Sequence, residues 1–428
     1  MDLTSRLRAI VNSGPPKAVR ELTYEPDDGY RNAAVLDSDY VASALGGRRV
    51  TNRFGECLVV DRRYESDRWH GGVQIGDCSI DDLDSLRILD PALDRELQPS
   101  PKTIFIDLET TGLSGGAGTV AFLVGCGYFD LGAFQVRQFL LTSHAGERAL
   151  LAAVAEFFDG ADLIVTYNGK TFDVPVMETR WMFHRMEMPL EGVPHFDMLH
   201  PARRLWKHDE SGCRLSTLER TLFDVVRVGD VPGMDIPARF FGFVRSGDPR
   251  PLEPVLEHNR IDLVSLAAVT ARGMRMAREG QDGCRDCAEA LALGKILERA
   301  EHVSRAEACY RYAALSPASH IRADALYRLA VRLRRDRRFE DAANTWRELI
   351  ELTDPRSMRR GVLGQLRQVA VEALAIHREH RAKDLAGARE LALTVLEESG
   401  GRTERGRHRL ARLDRKLARK NDPPQLFS

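Results

Sequence analysis

The sequence predicts an α/β mixed sheet core of order βββαβαβ plus helices, followed by an all-α helical-repeat domain. Three observations carry that expectation. Between residues 101 and 277, short apolar runs of strand length alternate with segments of helical periodicity. After about residue 278 no strand pattern remains, and two segments align at a shift of 36. Acidic residues stand inside or directly after the apolar runs, where a sheet presents its ligand-binding edge.

The elements follow in order. Residues 1–30 carry the turn signals Gly14-Pro15-Pro16 and Pro26-Asp27-Asp28-Gly29, and ECLVVDRRY (56–64) alternates enough to be a strand. The stretch 1–99 is therefore an N-terminal extension, partly irregular with short strands. KTIFIDL (102–108) is a buried strand; 119–129 and 134–141 are two more, joined by Asp130-Leu131-Gly132-Ala133 as an antiparallel meander. A helix over 146–159, a buried strand over 161–167, a helix over 171–186 and a short strand over 195–199 complete the order. Pro175 is tolerated in a first helical turn. Helices at about 214–223, 236–245 and 250–277 close a domain of residues 100–277. This order is that of a ribonuclease H-like mixed sheet.

Residues 284–420 read as helical repeats. In the register of 36, Ala306 matches Ala342 and Tyr310 matches Trp346. Small residues sit where paired helices approach, and large aromatics fill the gap beyond. This resembles tetratricopeptide-type helix pairs, whose period is about 34. A looser pair covers 363–398, and 404–420 reads as a polar capping helix.

At 428 residues the chain exceeds one typical domain. No run of 18 or more apolar residues appears, so no membrane span is expected, and the first residues do not read as a signal peptide. Seven Cys spread over the chain argue against a disulfide framework and for a reducing, cytoplasmic location. Cys284-x-x-Cys287 is half of a zinc site, with no second pair beside it. The charge is unevenly divided: residues 1–283 hold 32 Lys+Arg against 42 Asp+Glu, and residues 284–428 hold 30 against 21. A basic half can hold a polyanion near an acidic one, or its arginines form solvated helix faces.

Candidate chemistry lies in three motifs. Asp107 and Glu109, two apart on a strand, point to one face. Two carboxylates among Ile104, Phe105, Ile106 and Leu108 need a strong compensating partner, and hard oxygen ligands select Mg2+ or Mn2+. Thr110 and Gly112 follow; Gly112 permits a close backbone approach, and Leu113 is placed to wedge against a terminal base. The glycine-rich run 114–118 has no Gly-Lys-Ser/Thr after it, so a nucleotide-triphosphate loop is not expected. In the second motif Asn168 leaves a strand, placed to bond a phosphate or sugar oxygen, and Asp173 opens a helix; Asp197 is a further acid at a strand end, read as supporting. In the third, His258 and Asp262 stand four apart on one helix face. Asp262 can complete a cage for two metal ions, and His258 can orient or deprotonate a water.

FIDLETTGL, YNGKTFD and HNRID resemble the three motifs of the DEDD exonuclease superfamily. The intervening SGGAGTVAFLVG, CRLSTLERTLF, DVPGMDIPARFFGFVRSGD and LEHNRIDLVSL resemble the YprB-like ribonuclease H-like domain of bacterial proteins, over about residues 100–275. The resemblance implies a ribonuclease H-like fold, two Mg2+ or Mn2+ ions, and metal ligands at Asp107, Glu109, Asp173 and Asp262. One departure is that His258 stands at the spacing used by the tyrosine-type members.

The expected function is a metal-dependent 3′→5′ exonuclease on single-stranded nucleic acid ends, with the basic helices guiding the strand. Two other readings stay open. One is a nucleic-acid-binding scaffold whose repeats grip a protein partner; the other is an endonuclease using the same carboxylates.

Overall fold

The computed structural model describes residues 38–93, 101–112, 118–207, 212–353, 361–398 and 404–421. The turn signals of residues 1–30, and Leu113 with residues 114–117, lie outside them. Chain order begins with α1 (Ser38–Ala44), β1 (Arg48–Asn52) and β2 (Gly55–Tyr64). A small hairpin of β3 (Trp69–His70) and β4 (Val73–Gln74) follows, then α2 (Leu83–Leu89). The central stretch is β5 (Thr103–Thr110), β6 (Ala121–Asp130), β7 (Ala133–Leu140), α3 (Glu147–Phe158), β8 (Leu163–Thr166), α4 (Asp173–Phe183) and β9 (His195–Asp197). That is the expected βββαβαβ order. The trailing helices are α5 (Leu199–Trp206), α6 (Leu215–Phe223), α7 (Ile236–Ser246) and the long α8 (Glu253–Glu279).

Seven strands form one sheet in the order β1-β2-β7-β6-β5-β8-β9. β5 pairs parallel with β8, and β8 with β9; the other neighbours pair antiparallel. The turn from β6 to β7 has Leu131 at φ 49° and Gly132 at φ 78°. Two positive φ values in succession match the twist of a tight hairpin. β2 pairs with β7 from Leu58↔Leu140 to Tyr64↔Phe134, so residues before 100 add two strands to the same sheet. The alternating run 56–64 is what makes this possible, since its buried face continues that of β7.

β5 divides two apolar layers. Phe105 belongs to the layer holding α2, α5, α6 and most of α8; Ile104, Ile106 and Leu108 belong to the layer holding α3, α4 and α7. Period-two alternation therefore sends Asp107 and Glu109 to the α8 side.

The helical region comprises α9 (Cys287–Arg299), α10 (Val303–Ala313), α11 (Ser319–Arg335), α12 (Phe339–Leu352), α13 (Val362–His380), α14 (Leu385–Glu398) and α15 (Glu404–Asn421). Each packs on the next. The ends of α9 and α11, at 299 and 335, and the starts of α10 and α12, at 303 and 339, are both separated by the offset of 36. Tyr310 and Trp346 are buried at equivalent positions. A Cβ on Gly294 would come within 2.6 Å of the Tyr310 ring, and the position 36 residues later is Ala330, also fully buried. A small buried residue thus recurs at the same offset as the buried aromatic. Among the described residues no helix is long and apolar enough to cross a membrane.

Candidate active site

The carboxyl ends of β5 and β8 and the first half of α8 meet at one place. Asp107 lies opposite Gly125 of β6, and Glu109 opposite Leu123; the register shifts between Glu109 and Thr110, where β5 leaves the sheet. Asp173 opens α4 and its Oδ1 accepts a hydrogen bond from the Leu108 amide at 3.2 Å. His258 and Asp262 face the cluster from α8, with His258 Nε2 3.5 Å from Asp262 Oδ2.

Three residues outside the expected set hold Asp107 in place. Asn259 Nδ2 donates to Asp107 Oδ2 at 2.7 Å and to the Asp107 carbonyl at 3.1 Å. Gln138 of β7 fixes that amide in turn, donating to Asn259 Oδ1 at 2.8 Å and to the Leu256 carbonyl at 2.8 Å. Gly125 provides the room, because a Cβ there would overlap the Asn259 amide. Both Gln138 and Asn259 are fully buried, so each polar atom needs such a partner.

A second set surrounds Asp262. Arg227 forms a bidentate pair with Glu219 at 2.6 and 2.8 Å and also donates to Asp262 Oδ1. His258 Nδ1 lies 2.6 Å from Asp230 Oδ1. A proton on Nδ1 shared with Asp230 leaves Nε2 free to accept, the tautomer a general base needs. Glu219 lies inside CRLSTLERTLF and Asp230 opens DVPGMDIPARFFGFVRSGD, but nothing in either segment, or in the loop carrying Arg227, marks them as neighbours of His258 and Asp262; tertiary proximity does. Asn259 lies inside the HNRID motif, where its position between two functional residues was a usable signal.

The charges act on one another. Burial pushes the Asp107 carboxyl well above the ordinary range, and the charges of Asp262, Glu109 and Asp173 push it further. Glu109 is raised likewise by burial and then by Asp262, Asp173 and Asp230, with Arg227 opposing. Asp173 is raised to about 7, chiefly by burial, against hydrogen bonds from its own amide and from that of Leu108. Asp230 is held low: burial works against it, but the His258 hydrogen bond and charge and Arg227 outweigh this.

The other expected residues are occupied locally. The Thr110 hydroxyl donates to the Gly112 carbonyl at 2.7 Å. Asn168 is exposed at φ 71°, and its Oδ1 accepts from the Thr171 hydroxyl at 2.8 Å. Asp197, 1% exposed, accepts from the amides of Asn168, Lys170 and Leu199 at 2.8, 3.0 and 3.1 Å. It pins the turn that delivers Asp173.

A family model described as RNase_H superfamily matches residues 104–272, the span from β5 into α8. Uncharacterized protein YprB of Bacillus subtilis (strain 168) is 33% identical over 320 residues, 73% of this chain and 75% of that protein. The chain belongs to the family of YprB and carries an RNase_H superfamily domain. Such a domain makes the chain nuclease-like, with nucleic acid as its substrate class, and RNase H-like nucleases generally use divalent metals.

The donor set fits such a metal in kind. Asp107, Glu109, Asp173 and Asp262 are all hard oxygen donors, and the first three are raised chiefly by burial, with neighbouring acids adding to Asp107 and Glu109. Among the described residues, no three His, Cys, Asp or Glu side chains are gathered closely enough about one point to hold an ion. Asp262 is turned to Arg227 and Asp107 to Asn259.

Proposed function

We propose that this chain is a metal-dependent 3′→5′ exonuclease of the DEDD type, cutting phosphodiester bonds at single-stranded nucleic acid ends. The observation that carries the reading is that Asp107 and Glu109 of β5 are buried and pushed up by burial and then by the charges of Asp262 on α8 and Asp173 at the start of α4. Buried like charges are costly unless cations join them. Two Mg2+ or Mn2+ ions held by these four carboxylates would supply the charge that activates water and steadies the leaving oxygen.

The chain's own groups do the rest. His258, with Nδ1 fixed by Asp230, orients the attacking water and takes its proton at Nε2. Asn259 keeps Asp107 from swinging out of the cluster. Thr110, Gly112, Leu113 and Asn168 contact the terminal nucleotide. We read the chain as three parts: residues 1–99 an extension, 100–277 the exonuclease domain and 284–420 tetratricopeptide-like repeats. The repeats, with their positive balance, guide the strand or hold a protein partner.

Digestion of end-labelled single- and double-stranded DNA and RNA with Mg2+ or Mn2+ tests this. The expectation is stepwise loss of mononucleotides from the 3′ end of single strands. Internal cleavage products would replace the reading by an endonuclease, and intact substrate under every condition would sink the nuclease mechanism.

A further inference from the structure

A cleft lies on the far side of Arg227, which lines it and donates to Asp262 of the acidic cluster. The β3–β4 hairpin and the segment after α6 enclose about 370 Å³ beside α8, within the size range of small-ligand clefts. Trp69, Arg68, Tyr64, Val226, Val228 and Arg227 line it. Trp69 is 62% exposed, Val226 78% and Val228 93%. Large apolar groups exposed together mark an interaction surface. The Arg68 guanidinium lies over the Tyr64 ring, 4.7 Å from its centroid, which adds a second flat face.

This cleft is rigidly tied to the carboxylates. The Gly72 amide donates to the Phe223 carbonyl at 2.6 Å, and a Cβ on Gly71 would overlap that carbonyl, so the hairpin is clamped onto the end of α6. His70 Nε2 lies 2.9 Å from the Ser265 hydroxyl, which donates its one proton to Glu219. His70 must therefore donate to Ser265. Glu219 holds Arg227, and Arg227 holds Asp262. A chain of side chains thus runs from the hairpin to the candidate site.

We propose that the cleft is a nucleobase-stacking subsite, with Trp69 as its platform, for the single strand whose phosphodiester bond enters the carboxylate cluster. This rests on the nuclease reading above and names how that site grips its substrate. Asp224 and Glu257 also line the cleft and offset Arg68 and Arg227, so it carries no excess of positive charge for a phosphate and suits the uncharged base. Stacking on an indole needs no particular base, which fits a strand that must advance as its end is removed.

Trp69 provides its own readout. The other three tryptophans, Trp181, Trp206 and Trp346, are at most 7% exposed. Full-length Asp107→Asn protein is titrated with short single-stranded adenine oligonucleotides, deoxy and ribo, while tryptophan emission and the polarisation of a labelled oligonucleotide are followed. Emission should fall on binding. Trp69→Ala should remove that fall and weaken binding roughly 5- to 100-fold, the loss of one stacked base. Trp69→Tyr should restore most of the affinity, and unchanged melting temperatures should show that both variants fold. Binding with no emission change, and equally tight in Trp69→Ala, overturns the subsite while leaving the nuclease reading intact; the patch then serves a different class of partner. Failure of every oligonucleotide to bind this variant and to be hydrolysed by the wild-type protein with Mg2+ or Mn2+ overturns both.

Discussion

At the scale of single residues, the site stores charge it does not neutralise. Asp107→Asn should abolish hydrolysis, because a carboxylate ligand is lost. It should also raise the melting temperature of the metal-free protein, because Asp107 is pushed up by burial and by three other acids. A lower melting temperature than wild type in chelator would contradict that electrostatic account. Asp173 makes the same point through pH. Its folded value of about 7 exceeds its ordinary 3.8, so between these values the folded chain binds the extra proton. The stability from this group is complete below the ordinary value and is lost as pH rises through about 7. Metal-free protein should therefore melt lower at about pH 8 than at about pH 5.5, and Asp173→Asn should shrink the gap. A gap that Asp173→Asn leaves unchanged assigns the dependence elsewhere. His258→Ala should lower the catalytic rate about 10²- to 10⁴-fold as for a general base, with metal affinity little changed. A loss below about threefold would leave His258 a structural role beside Asp230.

At the scale of elements, the placement of α8 against the sheet is what builds the site. The contact needs a gap in β6, and Gly125 is that gap. Gly125→Ala should push Asn259 off Asp107 and cost about 1–3 kcal/mol, as overpacking does. Urea unfolding measures this, and the combination of Gly125→Ala with Asn259→Ala should recover part of the loss. If the single variant is as stable as wild type, α8 has slack and Asn259 does not lock the cluster. The strands themselves were readable from sequence because apolar runs of strand length in 102–141 are bounded by turn residues. The hairpin β3–β4 was not, since strands of two residues carry no periodicity.

At the scale of the molecule, the sheet and the helical region share one apolar cluster, running from Ile75 through α8 to Leu374. Glu289 on α9 ties the two. It is 1% exposed and accepts from Trp206 Nε1 at 3.0 Å, Arg272 at 2.8 Å, and the Arg285 amide and side chain at 2.7 and 2.8 Å. Glu289→Ala would strand the half-buried Arg272 charge, at a cost of about 3–5 kcal/mol. Calorimetry should show a lower melting temperature for the whole chain. Loss confined to a separate transition of the helices would mean that the two regions unfold independently.

Sequence by itself determined the βββαβαβ succession of elements along the chain, the helix offset of 36 and the identity of the acidic motifs. All three depend on local periodicity or on residues a few positions apart. The tertiary structure decided which groups surround the acids. Arg227, Asp230, Gln138 and Gly125 are distant in the chain from Asp262 and Asp107, and no spacing rule connects them. It also decided that residues 48–64 belong to the main sheet, because pairing between β2 and β7 joins residues 70 to 82 positions apart. Partners brought together by folding alone leave no periodic trace, and it is those partners that set the charge, the tautomer and the reach of the site.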